Sequence, residues 1–396
     1  MLRKHCFVLV IVLCVLVLVP ACGGGGGKTE QTEVKPVKIG VIQSWSGPAA
    51  GAGSLGDFNL ELVDWLIDKE GGILVGGERR PVQWIRYDDA GSVAQDAVGA
   101  TKLILQDKVS VVIWGGITTA QLIGVASVTD PAKVLFATYG SDKTVATDIK
   151  WMISTIPFVE QKVDLVSQVV SELFKAKTVA LIANDVIDGR YAMNLAKDLF
   201  KPLGIKVVSE QYIPFSVQDL SPYITKIKYG NPDVLITNIT TGQYGTLFKQ
   251  ILELGGWGSM KTIAIPGGEL NLRQLPGAQG TYSLTAYVEG SSDSPGARAF
   301  EEAIAGKMQD SGWAAKSKSL NPTETLFTAA LSAVRAIEFA GTDDPAKIAE
   351  AARSGKLEFD TPMGHMRILP DGTNDLKSFL VQIVDGKAVR VAFARH

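Results

Sequence analysis

Short apolar runs alternate with amphipathic helical segments along most of this chain. Val37 to Ile42 is an apolar run, and between Leu55 and Leu66 apolar residues recur at helical spacing. The same pair of patterns returns over 82–107 and 110–128, and 134–138 adds another apolar run. Parallel strands that are buried on both faces read as continuous apolar runs, and they need crossovers between them. The alternation therefore predicts an α/β fold in which helices cover a parallel sheet.

The alternation starts again after residue 157, which predicts a second lobe. Apolar runs and helical patterns alternate between 160 and 266, and a hairpin is predicted over 379–393 around Asp385-Gly386. Further helical patterns lie at 295–310, 323–340 and 345–354. A chain of 396 residues allows two or three cores, and these last segments are too few for a third domain. We therefore expect two doubly wound parallel-sheet lobes that the C-terminal segments complete.

The N-terminus has the pattern of an export signal. Two basic residues, Arg3 and Lys4, precede the apolar run from Phe7 to Val19, which is too short to span a bilayer. The following Val19-Pro20-Ala21-Cys22 resembles the lipobox of bacterial lipoproteins, although a plain signal peptide that happens to contain a cysteine is the alternative. We expect a signal peptide over 1–21, lipid attachment at Cys22 and a Gly-rich, polar tether to residue 36. The mature chain is then exported and anchored by its lipid to a membrane of the cell envelope, on the periplasmic or extracellular side.

Cysteine positions and charge exclude two classes of protein. All three cysteines, Cys6, Cys14 and Cys22, lie in or at the end of the N-terminal segment, so no disulfide is expected within the lobes. The formal charge is −2, from 39 basic and 41 acidic residues, which provides no cationic field for a phosphate backbone. We therefore expect no nucleic-acid partner.

Residue types that carry catalysis or bind metals are scarce. His365 is the one histidine between the N-terminal segment and the final residue, and neither a G-x-S-x-G motif nor an H-E-x-x-H motif occurs. A Ser-His-Asp triad would need that single imidazole, which is more typical of a packed or turn residue. We therefore predict a protein that is not an enzyme and has no metal site and no cofactor.

One glycine motif favours an alternative. Gly51 to Gly56 satisfies G-x-G-x-x-G, and Asp88-Asp89 ends a later strand, as in a dinucleotide site. Eight residues lie between Ile42 and Gly51, whereas a dinucleotide site has its glycines directly after the strand, and Asp88 is about 35 residues beyond the glycines instead of about 20. A mobile, side-chain-poor loop over the carboxyl end of the sheet is the interpretation we prefer.

Other loops at the predicted sheet edge are polar and small. Thr118 and Thr119 follow Gly115-Gly116 and begin a helix, where hydroxyls and free N–H groups favour a carboxylate, although simple helix capping explains a Thr there equally well. The segment from Tyr139 through Gly140 and Ser141 to Asp142 follows the next strand. Trp45, beside the first loop, is predicted to form an apolar wall of a site or to pack in the core. Ligands of open α/β sheets bind at this edge.

Several segments together resemble the Leu/Ile/Val-binding type of periplasmic binding protein (type 1), the solute receptors of ATP-driven importers (ABC transporters). The matching segments are Val37-Lys38-Ile39-Gly40-Val41 with Ser46-Gly47-Pro48, Glu70-Gly71-Gly72-Ile73, Tyr87-Asp88-Asp89-Ala90, and Phe359-Asp360-Thr361-Pro362-Met363-Gly364 followed by Asp371-Gly372. They follow the family's order from about residue 37 to residue 384. The resemblance implies two lobes joined by a three-strand hinge, with crossovers near 155–158, 283–288 and 357–362. Lobe 1 would comprise 37–156 with 288–358, and lobe 2 would comprise 157–287 with 359–396.

The resemblance also implies a set of ligand-binding residues between the lobes. The segment that holds a ligand carboxylate falls on Thr118 and Thr119, and the next loop contributes Gly140, Ser141 and Asp142. In lobe 2, Asp188 and Thr240 lie where aromatic residues often stand. The acid that meets an ammonium group falls near Gly267, so Glu269 and Asp142 are the candidates for a cationic group.

The function implied is capture of a small ligand by closure of the two lobes. We expect an amino acid or a related small carboxylate or amide, delivered unaltered to the permease subunits of an ABC importer. Two alternatives remain open at this stage. The first is a ligand sensor that docks a receptor kinase, and the second is a secreted NAD-dependent oxidoreductase that uses the loop from Gly51 to Gly56.

Overall fold

The computed structural model describes residues 34–47, 50–116, 118–265, 272–290, 294–317 and 323–393. The predicted signal peptide, the lipid-attachment residue Cys22, most of the tether and the candidate ligand residue Glu269 lie outside these ranges. Within them, no helix has both the length and the apolar character needed to cross a membrane.

Lobe 1 is built on a five-stranded parallel sheet with the spatial order β4-β1-β5-β6-β7. Ile39 on β1 pairs with Trp84 on one side and with Val111 on the other. β5, β6 and β7 are buried along their whole length because helices cover both faces of the sheet. The strands of this sheet are β1 Val37–Gln43, β4 Val82–Asp88, β5 Val111–Trp114, β6 Leu135–Thr138 and β7 Met152–Ser154. A separate hairpin consists of β2 Ile73–Val75 and β3 Glu78–Arg80.

The helices of lobe 1 come from two distant parts of the chain. Those from the first part are α1 Ala50–Lys69, α2 Val93–Lys102, α3 Thr119–Thr129 and α4 Lys143–Asp148. Those from the second part are α9 Pro295–Lys307, α10 Ser311–Lys316, α11 Glu324–Ala340 and α12 Pro345–Ala352. Alternate residues of β5 face opposite layers, so Ile113 packs in the core with α1 and α11, whereas Val112 packs in the core with α2 and α3.

Lobe 2 contains a seven-stranded sheet with the order β16-β15-β12-β11-β10-β8-β9, in which β15 and β16 are antiparallel to their neighbours. Its strands are β8 Thr178–Asn184, β9 Lys206–Ile213, β10 Val234–Asn238, β11 Lys261–Ala264, β12 Tyr282–Thr285, β15 Phe379–Val384 and β16 Lys387–Arg390. Its helices are α5 Val159–Gln168, α6 Ile187–Phe200, α7 Ser221–Gly230 and α8 Thr241–Glu253. α5 and α6 contribute to the core on one face, and α7 and α8 contribute to the core on the other. The protein therefore has the two-lobed α/β architecture of doubly wound sheets.

The structure corrects the last predicted lobe boundary. The hairpin of β13 Glu358–Thr361 and β14 Gly364–Arg367 packs on lobe 1, because Met363, Met366 and Leu376 are buried in the lobe 1 core. The assignment of 359–396 to lobe 2 is therefore wrong for residues up to about 376. The chain enters the lobe 2 sheet only at β15.

The glycine motif from Gly51 to Gly56 is not a mobile loop, because all of it lies in the first turns of α1. A Cβ atom on Gly53 would lie 2.6 Å from the carbonyl oxygen of Ser44, and one on Gly56 would lie 2.5 Å from the ring of Trp114. These two glycines let α1 approach the end of β1 and the buried indole closely. The motif therefore serves helix packing, because the described residues 50–56 form helix and not a phosphate-binding turn.

Candidate ligand-binding site

A pocket of about 160 Å³ lies between the two lobes, where strands of both sheets end. β6 is followed by Ser141 and Asp142, and β10 ends at Asn238. The lining residues come from both lobes and are Ser141, Asp142, Val159, Lys162, Asp188, Tyr191, Asn238 and Ile265. Three sequence-predicted site residues, Ser141, Asp142 and Asp188, are among them.

The two lobes meet beside this pocket through Thr119 and Asp188. Thr119 begins α3 of lobe 1, Asp188 is in the first turn of α6 of lobe 2, and the Thr119 hydroxyl donates a hydrogen bond to the Asp188 carboxylate. Burial raises the pKa of Asp188 and the nearby Asp142 carboxylate raises it further, while the hydrogen bond from Thr119 acts in the opposite direction. The lobes are therefore in contact across the cleft, and the predicted carboxylate-binding hydroxyl already has a carboxylate partner.

Thr118 is a helix cap. Its side chain accepts a hydrogen bond of 3.3 Å from the backbone N–H of Gln121, in the usual geometry of a residue that precedes a helix. Helix capping, the alternative to carboxylate binding that the sequence left open, therefore describes the contacts of Thr118 in this structure.

The loop after β6 is fixed to the connection between the lobes. The Gly140 carbonyl accepts a hydrogen bond of 2.5 Å from the Ser154 hydroxyl, and the Ser141 carbonyl accepts one of 2.8 Å from the N–H of Val159. Asp142 is 8% exposed, and its carboxylate accepts a hydrogen bond of 3.4 Å from the N–H of Val145 at the start of α4. The backbone thus positions Asp142 at the pocket wall.

Trp45 is partly buried, packs against the core of lobe 1 and does not line the pocket. Its indole N–H donates to the Asp57 carboxylate at 2.9 Å, and its backbone N–H donates to the Asp88 carboxylate at 2.8 Å. Asp88 also accepts a hydrogen bond from the N–H of Ser46. Asp88, the ribose-binding candidate of the dinucleotide hypothesis, therefore holds the loop after β1.

Tyr139 belongs to a polar network beneath that loop. Its hydroxyl donates to the Gly116 carbonyl at 2.5 Å and accepts a hydrogen bond of 3.4 Å from the Gln43 amide. Burial raises the pKa of Tyr139 to about 12, so the phenol stays protonated and able to donate. Asp89, which is fully buried nearby, accepts hydrogen bonds from the hydroxyl of Ser44 at 2.5 Å and from the N–H of Gly91 at 2.7 Å.

A second buried carboxyl group, Asp96, faces this network. It is fully buried, and among the described residues neither of its oxygens has a hydrogen-bond partner of ordinary geometry. Burial raises the pKa of Asp96 to about 8, and the neighbouring carboxylate of Asp89 adds to the increase. At neutral pH Asp96 is therefore mostly protonated. Asp96 is not among the site residues predicted from the sequence.

Thr240, a predicted site residue of lobe 2, does not line the described pocket. Thr240 is exposed at the start of α8. Its N–H donates to the side-chain carbonyl of Asn184 at 2.7 Å, and its hydroxyl donates to the side-chain carbonyl of Gln243 at 3.0 Å. Glu269 lies outside the described residues.

Five lining residues were not predicted from the sequence: Val159, Lys162, Tyr191, Asn238 and Ile265. Asn238 and Ile265 follow the rule that ligands meet the carboxyl ends of parallel strands, because β10 ends at Asn238 and β11 ends one residue before Ile265. Tyr191 lies three residues after Asp188 on α6, so the two side chains share a helix face. These rules, applied to the strand ends and helix faces of lobe 2, would have found Tyr191, Asn238 and Ile265, but neither Val159 nor Lys162.

A family model described as "Periplasmic binding protein" matches residues 36–388 of the chain. Among curated proteins, the chain is similar to Leu/Ile/Val-binding protein homolog 3 of Brucella melitensis, with 28% identity over 89% of this chain and 93% of that protein.

Solved structures share the fold. A leucine-binding protein of Thermotoga maritima has a TM-score of 0.76 at 20% identity, covering 90% of this chain and 98% of that one. A solute-binding protein of an ABC transporter from Rhodopseudomonas palustris, in complex with p-hydroxybenzoic acid, has a TM-score of 0.75 at 24% identity, covering 90% and 95% of the two chains.

Proposed function

The chain belongs to the periplasmic binding protein family, and from this premise we propose that it captures an amino acid or a related small carboxylate or amide and delivers it to the permease of an ABC importer. Members of the family are exported solute-binding proteins and not enzymes. Capture requires only that the ligand stabilise the closed arrangement of the lobes.

The observation that carries this proposal is the pocket between the lobes, whose lining comes from both of them. A ligand that contacts Asp142 of lobe 1 and Asn238 of lobe 2 at once gains its full binding free energy only when the lobes are closed. The Thr119–Asp188 hydrogen bond adds a direct contact between the lobes in that arrangement. Two of the similar structures support an amino-acid or aromatic-acid ligand, since one is a leucine-binding protein and the other is a complex with p-hydroxybenzoic acid.

We further propose that Cys22 carries a lipid and that the segment up to residue 36 tethers the lobes to the membrane. Apolar residues 7–19 followed by Cys22 support this. Mass spectrometry of protein purified from membranes tests it, because a Cys22→Ala chain should lack the acyl mass and be released into the soluble fraction.

Ligand capture is tested with the purified chain in two steps. A thermal-shift screen over amino acids, amides and aromatic acids should reveal a ligand, because a ligand at 100 times its Kd adds about 2.7 kcal/mol to the free energy of unfolding. Small-angle X-ray scattering with that ligand should then show a smaller radius of gyration than without it. No shift with any compound, or a shift without compaction, contradicts the proposal.

A further inference from the structure

We infer that the ligand carries a net positive charge and that its cationic group lies between Asp142 and Asp188. This inference rests on the proposed function, because it specifies the ligand class of the same pocket. Binding of the cationic group, for which the sequence indicated Asp142 and Glu269, is thereby assigned to Asp142 and Asp188.

The charges that line the pocket are unequal. Two carboxylates, Asp142 and Asp188, face the cavity from opposite lobes, and Lys162 is the one basic side chain in the lining. One negative charge is therefore in excess among the described lining residues. A closed cleft that excludes water needs a compensating charge, because uncompensated buried charge is costly. A ligand with one net positive charge provides it.

The two hydroxyl groups predicted to bind a ligand carboxylate, those of Thr118 and Thr119, already form hydrogen bonds within the protein. Thr118 caps its own helix with its hydroxyl, and the Thr119 hydroxyl donates to Asp188. A ligand carboxylate at the start of α3 would have to displace the Asp188 carboxylate and would then face Asp142 as well. The hydrogen bonds present at this helix end therefore disfavour a net anionic ligand.

The energetic cost of the two carboxylates also indicates a cation. Burial and the proximity of Asp142 both raise the pKa of Asp188. An ammonium or guanidinium group between the two side chains removes this repulsion and forms charge-assisted hydrogen bonds with both. Because the two carboxylates belong to different lobes, the same cation links the lobes and stabilises the closed form.

The remaining groups near the pocket limit the ligand's size. Tyr191 is oriented by a hydrogen bond of 2.7 Å from its hydroxyl to Glu160, a carboxylate that also accepts from the N–H of Lys143 at 3.2 Å. The volume of about 160 Å³ is well below the roughly 300–1,000 Å³ of sites for drug-sized ligands. The ligand is therefore a small cation.

Isothermal titration calorimetry with matched pairs of compounds tests the charge. L-lysine is compared with L-norleucine, and L-arginine with L-citrulline, because each pair differs mainly in the side-chain charge. Glutamate and 4-hydroxybenzoate represent the anions. We expect the cationic member of at least one pair to bind 10-fold to 100-fold more tightly than its neutral partner, and the anions to bind more weakly still.

Variants show whether the two carboxylates cause the preference for a cationic ligand. Asp188→Asn and Asp142→Asn should each lower the affinity for the cationic compound 10-fold to 100-fold. The ratio of its affinity to that of the neutral partner should then fall to near one. Asp185→Asn is the matched control, because this exposed residue, three positions before Asp188 in the loop that precedes α6, pairs with Arg190 and does not line the pocket. Thermal unfolding of each variant checks that it is folded.

The outcomes separate this inference from the proposed function. Tight binding of norleucine, citrulline or an anion, with no preference for the cationic partner, overturns the inference and leaves solute capture intact. An unchanged charge preference in Asp188→Asn overturns the role of Asp188. If no compound of the panel binds, the inference is wrong, and the broader screen described above then decides on capture itself.

Discussion

The hydroxyl of Thr119 on lobe 1 donates a hydrogen bond to the carboxylate of Asp188 on lobe 2. The two residues are 69 positions apart in the chain, and each lies in the first turn of its helix. The contact requires that the lobes be closed, so it stabilises the closed form relative to an open one.

Thr119→Val should therefore shift the ligand-free protein toward the open form. The valine keeps the side-chain shape but removes the donor, and a hydrogen bond to a charged group contributes about 1.5 kcal/mol or more, which is roughly a tenfold change in the ratio of closed to open molecules. Small-angle scattering of the ligand-free variant should show a larger radius of gyration.

Thr118→Val is the control for this change. It removes the cap of α3 and should cost about 1 kcal/mol of stability without opening the lobes, because Thr118 bonds within its own helix. Equal radii of gyration for the parent and Thr119→Val would show that the contact does not hold the lobes together.

The sequence predicted the layers of the fold better than their connections. The buried strand β5 is a continuous apolar run and β10 begins with Val-Leu-Ile, as expected for a parallel sheet covered on both faces, and the family model confirms the resemblance. The lobe to which the hairpin around Met363 belongs was predicted wrongly. Two short strands with one buried residue each fit either lobe, and only the packing of Met366 and Leu376 decides between them.

Site residues were predictable where a strand ends and less so where a helix contributes them. Ser141 and Asp142 follow β6, so the rule for sheet edges places them at the pocket. Lys162 lies on α5, and whether it faces the cleft depends on the rotation of that helix against lobe 2. The partner of Thr119 depends on how the lobes close, which no local pattern encodes.

Asp96→Asn should make the protein more stable at pH 8 and remove part of its pH dependence. The pKa of Asp96 is raised to about 8 in the folded protein, against about 3.9 in an unfolded chain. Between about pH 4 and pH 8 the folded state therefore holds one more proton, and this group lowers the free energy of unfolding by about 1.4 kcal/mol per pH unit as the pH rises. Above pH 8 its effect is constant. Urea unfolding of parent and variant from pH 5 to pH 9 measures the difference.

Asp148→Asn, which changes an exposed acid on α4, is the control for charge alone and should follow the parent at every pH. The stability difference between Asp96→Asn and the parent should grow steadily with pH and level off near pH 8. A difference that is constant over the whole range would mean that Asp96 titrates normally in the folded protein.

Gly56→Ala should destabilise the protein by about 1–3 kcal/mol, the usual cost of overpacking a core. The added Cβ would lie 2.5 Å from the ring of Trp114, which is fully buried and donates its indole N–H to the Leu326 carbonyl. Gly51→Ala in the same helix is the matched control, since no described atom lies within 4 Å of its added Cβ. It should be neutral or stabilising by up to about 1 kcal/mol. Equal midpoints of urea unfolding for the two variants would contradict the packing role of Gly56.

Asn374 joins the first and last connections between the lobes, and its loss should weaken the hinge. Its amide donates to the carbonyls of Ser154 at 3.0 Å and Ile156 at 2.9 Å, and the side chain is buried. Asn374→Ala should lower the free energy of unfolding by about 2–4 kcal/mol, because two hydrogen bonds are lost and two carbonyl groups lose a donor in a buried place. Asp375→Asn, next in the chain and exposed with its partner Arg367, should change stability by less than about 0.5 kcal/mol. Urea unfolding measures both, and amide hydrogen exchange should rise at Ser154–Ile156 only in Asn374→Ala. If exchange there stays as slow as in the parent, these carbonyls hold the connection without the help of Asn374.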